Sequence, residues 1–361
     1  MKKYTVVDLF CGAGGLSKGF LDAGFNVVLG VDFDEPALRT FEANHGSAKA
    51  LKLDLFNHDN IFEIKKYLED NKIQLDVLVG GPPCQGFSLA GKREENDERN
   101  VLYSAMVKTA KELKPKIVVL ENVPGMLKLY DGKGAKRIIN DFTELGYKMS
   151  AEILYAPNFG VPQIRKRVVF VGILNGKKEF EYPTPKIKPE DYITCEEAIS
   201  DLPSLENDND YSLDKIREYI MKPTNDYQKQ MRKNSIKVFN HFPTKHAQKT
   251  IENIAKIPDG GNYKDLPVGE SEKFKYHESL TRYNSKKPSL TIDTGHRTHF
   301  HYKYNRIPSV RENARLQSFP DDFIFYGSKQ QQYKQVGNAV PPLLGKAVAE
   351  KIKEVLDNEE V

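Results

Sequence analysis

Short apolar runs at residues 4–9, 27–31, 50–53, 75–79 and 117–120 recur through the first third of the chain, with amphipathic stretches between them. Runs of that length suit strands buried in a sheet, while 35–44, 61–71 and 101–113 repeat apolar residues at helical spacing. Strand alternating with helix predicts an α/β fold, a doubly wound and mostly parallel sheet with right-handed crossovers. Two more apolar runs, 151–155 and 168–173, are separated by only 156–167. That gap is too short for a crossover helix and predicts an antiparallel strand at the sheet edge.

After Gly172 the rhythm stops. Pro183, Pro185, Pro189, Pro203 and Pro223 interrupt the pattern, and turn signals such as Pro258-Asp-Gly-Gly261 follow. Residues 1–181 are therefore read as the sheet domain and 182–305 as a smaller irregular domain. A helix-like run at 309–317 and a last helix from about 341 predict that 306–361 returns to the first domain.

At 361 residues the chain can bury a large core, and no window approaches the roughly eighteen apolar residues of a membrane span. The start, Met-Lys-Lys-Tyr-Thr-Val-Val-Asp8, enters a strand without a signal-peptide pattern, so a cytoplasmic protein is expected. Cys11, Cys84 and Cys195 form no CxxC pair, which supports neither a disulfide framework nor a cysteine metal site. No metal is expected. The net charge of +4 is too small to imply a polyanion partner alone, but it is uneven. Residues 215–249 carry nine Lys or Arg against two acids, and 282–306 carry six against Asp293. Such stripes could track a phosphate backbone.

Residues 80–88 read Gly-Gly-Pro-Pro-Cys84-Gln-Gly-Phe-Ser and follow a buried-strand run. Pro82 and Pro83 cannot continue a ladder, so Cys84 sits past a strand's carboxyl end, where open α/β sheets bind ligands. Gln85 and Ser88 offer hydrogen bonds around the sulfur. Asp8-Leu-Phe-Cys-Gly12-Ala-Gly14-Gly15-Leu16 follows the first strand and opens a helix, so backbone amides face a ligand. Its glycine spacing departs from GxGxxG and disfavours a dinucleotide with a pyrophosphate. Asp32, about twenty residues on, can accept from both hydroxyls of a ribose. Phe33 could stack on an adenine, Phe10 could close the ring's other face, and Asp54 could accept from its exocyclic amine. An adenosine without phosphates beside a thiol points to S-adenosylmethionine. Glu121 ends another strand on the same edge, and Arg165 and Arg167 stand at period two, predicted to share one face.

These residues resemble the DNA (cytosine-5) methyltransferases, particularly the compact bacterial restriction-modification kind. The match runs in order through Asp8-Leu-Phe-x-Gly-x-Gly-Gly, Pro82-Pro-Cys-Gln, Glu121-Asn-Val, Gln163-x-Arg-x-Arg, Arg311-Glu-Asn-Ala-Arg-Leu-Gln-Ser-Phe-Pro and Gln335-Val-Gly-Asn338-Ala-Val-Pro. Only 182–305 lacks a recognisable pattern, and in that family it is the target-recognition region. The resemblance implies a methyltransferase sheet that binds S-adenosylmethionine, with Pro82, Asn338, Ala339 and Val340 joining the cofactor residues. It also implies that Cys84 adds to C6 of a cytosine rotated out of the duplex. Glu121 would hold N3 and the exocyclic amine, and Arg165 would contact O2 and help place Glu121.

Residues 89–100, with seven charges between Lys92 and Arg99, are a natural lid over DNA. Ser88, Arg93, Arg99, Gln163, His296, Arg297, Thr298 and His299 are the candidate DNA contacts. A monomer acting on double-stranded DNA is expected, with any cognate endonuclease a separate chain. Two rivals remain. Relatives that methylate tRNA share the catalytic motifs but carry Cys-Phe-Thr where this chain has Cys195-Glu-Glu, and a DNA-binding protein without catalysis predicts damage at Cys84, Glu121 or Arg165. None is damaged.

Overall fold

The computed structural model describes residues 3–83, 102–128, 132–206, 208–267, 280–295 and 298–358. The apolar runs form strands β1 (Thr5–Leu9), β2 (Asn26–Asp32), β3 (Lys49–Lys52), β4 (Val77–Gly80) and β5 (Ile117–Asn122). Between them lie helices α1 (Gly15–Asp22), α2 (Glu35–Asn44), α3 (Ile61–Asp70) and α4 (Leu102–Leu113), followed by α5 (Lys133–Glu144). Strands β6 (Tyr147–Tyr155) and β7 (Lys166–Leu174) complete a seven-stranded sheet of order β3-β2-β1-β4-β5-β7-β6. The first five strands pair in parallel, whereas β7 is antiparallel to both of its neighbours. The expected antiparallel pair is present, and the reversed strand is β7, one place in from the edge.

Every residue of β4 and β5 is buried. Continuous Val, Ile and Leu suit a parallel sheet covered on both faces. Strand β6 begins earlier than its apolar run because Lys148, Ser150 and Glu152 alternate with buried Tyr147 and Met149 along its first half. An edge strand needs only one apolar face. Helix α5 was not anticipated, although Ala135, Ile138 and Phe142 give it a buried stripe.

Residues 1–155, 166–184 and 342–361 form one compact unit, and 156–165 with 185–341 form a second. The link between β6 and β7 is thus assigned to the second unit, as are residues 306–341. That unit is built from short pieces: α6 (Cys195–Ile199), α7 (Asp226–Arg232), α8 (Gln248–Ala255), α9 (Val310–Leu316) and α10 (Lys329–Asn338). Two-residue ladders join β8 (Arg217–Glu218) to β9 (Lys237–Val238) and β10 (Thr281–Arg282) to β11 (His299–Phe300). Thr194 and Ser309 begin α6 and α9 with reciprocal capping boxes to Glu197 and Glu312. The last helix, α11 (Pro342–Asp357), packs on α1 in the first unit. Gly19 makes that approach possible, since a Cβ there would lie 2.5 Å from the backbone nitrogen of Lys346.

Candidate active site

Along one edge of the first unit's sheet, the carboxyl ends of β1 and β2 carry acids, Asp8 buried and Asp32 half-buried. Asp8, on β1, is 1% exposed and accepts a 2.6 Å hydrogen bond from Ser17 Oγ. Burial pushes its carboxyl up to about 7 against the pull of Ser17, and the charges of Asp32 and Glu121 add to the rise. Asp32, ending β2, accepts from the backbone amides of Gly12 (2.8 Å), Phe33 (2.8 Å) and Asp34 (2.9 Å). Burial raises its carboxyl too, restrained by those three amides.

The loop after β1 turns sharply. Phe10, Gly12 and Gly14 take positive φ angles of 59°, 52° and 87°. A Cβ on Gly12 would meet nothing within 4 Å, so that side of the turn is open, whereas one on Gly14 would lie 2.2 Å from the His45 ring. Gly15 and Leu16 begin α1 and are buried. Phe10 packs against the core, while Phe33 is 65% exposed beside the Asp32 carboxylate. Asp54 is exposed and caps the Phe56 amide at 2.9 Å. Lys18, the cation on α1, is paired with Asp22. The open turn at Gly12, the Asp32 carboxylate and the exposed Phe33 ring leave room for an adenosine.

At the ends of β4 and β5, Asn122 Nδ2 donates to the Pro82 carbonyl at 3.1 Å. This fastens the Gly81-Pro82-Pro83 turn to β5. Glu121 is 9% exposed and paired with Arg167 Nε at 2.7 Å. A Cβ on Gly81 would come within 3.2 Å of Glu121 Oε2, so the carboxylate stands beside the turn that leads to Cys84. Cys84, Gln85, Ser88, Arg93 and Arg99 lie outside the described residues.

Arg165 and Arg167, expected to share one face, each make contacts of their own. Period two holds within a strand, and β7 begins only at Lys166. Arg167 meets Glu121, whereas Arg165, 1% exposed in the second unit, donates through Nη2 to the carbonyls of Gly337 (2.9 Å) and Ala339 (3.0 Å). Gln163, expected at DNA, is fully buried. Its amide donates to Gln317, and its carbonyl accepts from the Ile292 amide at 3.1 Å and Arg165 at 3.3 Å. It braces the second unit from within. Gln317, in turn, donates to the Ala339 carbonyl at 2.7 Å. Nothing in the sequence around Gln317 signals this bracing role.

His299 is 6% exposed and stacked on Tyr283, so it too is a packed residue rather than a surface contact. Thr298 Oγ1 donates to Asp293 at 2.8 Å. His296 and Arg297 lie outside the described residues. Asn338 ends α10 exposed, followed by half-buried Ala339 and Val340.

The basic stripes also dissolve on folding. Lys215 pairs with Asp210, Arg217 with Asp208 and Arg232 with Asp201, so the acidic stretch before residue 215 neutralises much of the basic one after it. Arg282 and Arg306 are buried. Among the described residues of these stripes, exposed Lys222, Lys233, Lys245, Lys249, Lys286, Lys287 and Lys303 remain able to reach a phosphate.

Among the described residues no group of three or more His, Cys, Asp or Glu could hold a metal, and no helix is long and apolar enough to cross a membrane. A family model described as C-5 cytosine-specific DNA methylase matches residues 4–354. The chain is 38% identical over 360 residues to the type II methyltransferase M1.HphI of Haemophilus parahaemolyticus, covering 98% of this chain and 88% of the relative. It is 36% identical over 379 residues to the type II methyltransferase M.DdeI of Desulfomicrobium norvegicum, covering 98% and 89%. A crystal structure of a protein assigned as a DNA modification methyltransferase encoded within a prophage (E. coli) superposes with a TM-score of 0.81. Its sequence is 25% identical, over 98% of this chain and 100% of that one.

Proposed function

This chain belongs to the C-5 cytosine-specific DNA methylases and is a DNA cytosine-5-methyltransferase, and from that premise we propose that Cys84 carries the reaction through a covalent bond to C6 of a cytosine turned out of duplex DNA. The observation that supports this most is the placement of Glu121 beside the turn leading to Cys84, with Arg167 on its carboxylate.

Addition of a thiolate to C6 leaves negative charge on the ring, so it proceeds only where that charge is met. Glu121 would hold a proton at N3 and accept from the exocyclic amine, with Arg167 fixing the carboxylate's direction. Arg165, through the carbonyls of Gly337 and Ala339, holds the segment on which Asn338 and Val340 stand. C5, made nucleophilic by the addition, takes the methyl group; when its proton then passes to water and the Cys84–C6 bond breaks to return the thiolate, the ring regains its aromatic character. Extruding the base costs a few kcal/mol, which protein contacts must offset.

S-adenosylmethionine supplies an electrophilic methyl group when bound. Asp32 would accept its ribose hydroxyls, Phe33 and Phe10 would face the adenine, Asp54 its exocyclic amine, and Asp8, Gly12, Gly14, Gly15, Leu16 and Pro82 would form the turn around the rest. No metal takes part in this scheme. Residues 182–305 would read the target, with Ser88, Arg93, Arg99, His296 and Arg297 as contacts proposed from sequence alone. We also propose that the enzyme acts as a monomer in the cytoplasm and protects DNA against a separate type II endonuclease, since its relatives are named as type II methyltransferases.

The test is incubation with S-adenosylmethionine and unmethylated genomic DNA, followed by mapping of 5-methylcytosine, with Cys84→Ser as control. Methylation within one short sequence, lost in the variant, is expected. A duplex carrying 5-fluorocytosine in that sequence should trap the wild-type protein in a complex that survives denaturant. Trapping by the serine variant would remove Cys84 from the mechanism.

A further inference from the structure

His45 follows α2, is 3% exposed and takes no part in the scheme above. Its Nε2 lies 3.0 Å from the Gly14 carbonyl and its Nδ1 lies 2.7 Å from the Phe41 carbonyl. The ring stacks on Phe41 with centroids 4.1 Å apart and planes 10° from parallel. Phe41 fits under two glycines, because a Cβ on Gly30 of β2 would lie 2.4 Å from its ring and one on Gly14 would lie 2.7 Å away. The stacked pair is thus a wedge between β2 and the turn after β1. The turn is held at both ends: Asp32 takes the Gly12 amide, and the Gly14 carbonyl meets both the Lys18 amide (2.8 Å) and His45. Burial pushes the imidazole down to about 4, so at neutral pH the ring carries one N–H, and the bond to Gly14 is made by the tautomer that holds this proton on Nε2.

We propose that His45 is a positioning residue for the cofactor turn, fixing the Gly14 carbonyl and thereby the open face at Gly12 that receives S-adenosylmethionine. The inference rests on the cofactor reading given under the proposed function. Without His45 the Gly14 carbonyl keeps only the Lys18 amide, so the turn would sample more backbone states and would have to be ordered when ligand binds, which weakens affinity without altering the reacting groups. His45 acts through the turn and touches no reacting atom.

His45→Phe keeps a ring against Phe41 but removes the hydrogen bond, and His45→Gln restores an N–H. The measurements are calorimetric binding of S-adenosylhomocysteine, which requires no turnover, and the split of kcat from the KM for S-adenosylmethionine. His45→Phe should weaken binding about three- to tenfold, the worth of one hydrogen bond, with KM rising in step. The kcat at saturation should stay within about twofold, and His45→Gln should recover part of the affinity. His45→Leu replaces the phenylalanine variant if that one folds poorly. A folded variant binding as tightly as wild type, or one losing kcat and DNA affinity as much as cofactor affinity, would overturn the proposal. Failure of the wild-type protein itself to bind S-adenosylhomocysteine would instead overturn the cofactor reading.

Discussion

The first unit keeps its buried charge at the ends of strands, whereas the second runs charge through its interior. Strands β4 and β5 are apolar throughout their buried length until Glu121, and Asp8, Asp32 and Glu121 gather where the ladders end. In the second unit Arg282, Arg306, Arg311 and Arg315 are all buried. The cause lies in the backbone. Helices and sheets satisfy their own carbonyls, but short irregular segments leave carbonyls that need donors, and a guanidinium brings five N–H groups. Arg311 donates to the carbonyls of Phe239 (2.9 Å), Pro320 (2.9 Å) and Phe323 (2.6 Å), and Arg282 to those of Ile257 (2.8 Å), Ile254 (2.7 Å) and His301 (3.0 Å). Asp201, Asp321 and Glu312 then balance the charge.

The sharpest way to break this contrast is at Arg315, which is fully buried between Asp201 (2.5 Å) and Asp321 (2.7 Å). Arg315→Leu leaves two carboxylates without their main partner and should cost about 3–5 kcal/mol in denaturant unfolding. Adding Asp201→Asn and Asp321→Asn should return a large share of the loss, because the penalty comes from uncompensated charge. A triple variant no more stable than the single one would show that the arginine's carbonyl bonds, not its charge, hold the segment. In the first unit, Leu78→Ala should cost about 2–5 kcal/mol through a cavity, with no second substitution that repairs it.

That contrast also explains what could be read from the chain. Periodicity reports apolar burial, so β1 to β5 and α2 were legible, as were the strand ends carrying Asp8, Asp32 and Glu121. Periodicity says nothing about an arginine that turns inward. Residues 215–249 and 282–306 were therefore read as surface stripes, although Arg217 and Arg232 pair with acids upstream and Arg282 lies inside. Gln163 shows the same limit: its neighbours in sequence suggest a DNA-facing motif, while its partners Gln317 and Ile292 are more than a hundred residues away. His45 left no signal, since a histidine after a helix is an unremarkable surface residue until Gly14 and Phe41 are brought beside it.

The pH response should differ at Asp8, with a somewhat smaller effect than at Arg315. Its folded-state value of about 7 lies above the ordinary 3.8, so between those values the folded protein holds a proton that the unfolded chain has released. Stability contributed by this residue therefore falls as pH rises from about 4 to 7, the reverse of a salt-bridged carboxylate. Asp8→Asn keeps an acceptor for Ser17 and removes the titration. The variant should match wild type near pH 4 and exceed it at pH 8 by up to about 4 kcal/mol, by the linkage of a shift of roughly three units. Glu312, held well below its usual range by Arg306, carries the opposite sign and loses its contribution as pH falls. Equal stability of Asp8→Asn and wild type at pH 8 would mean that Asp8 is ionised in the folded protein.

Surface cations supply the finest distinction, because the second unit has exposed lysines of two kinds. Lys229 is paired with exposed Asp226 at 2.8 Å, whereas Lys233, one turn on, is exposed without an ion pair among the described residues. Neither side chain supports a core, so alanine at either position should change stability by no more than about 0.5 kcal/mol. Their effects on DNA binding should separate. A lysine that meets a phosphate releases a counterion, and losing it lowers the slope of log affinity against log salt by about one. Lys233→Ala should show that change and Lys229→Ala should not, since Asp226 already offsets the charge a phosphate would feel. Equal slopes for both variants would place the DNA away from α7, and the exposed lysines at 245, 249, 286 and 287 would then be the ones to remove.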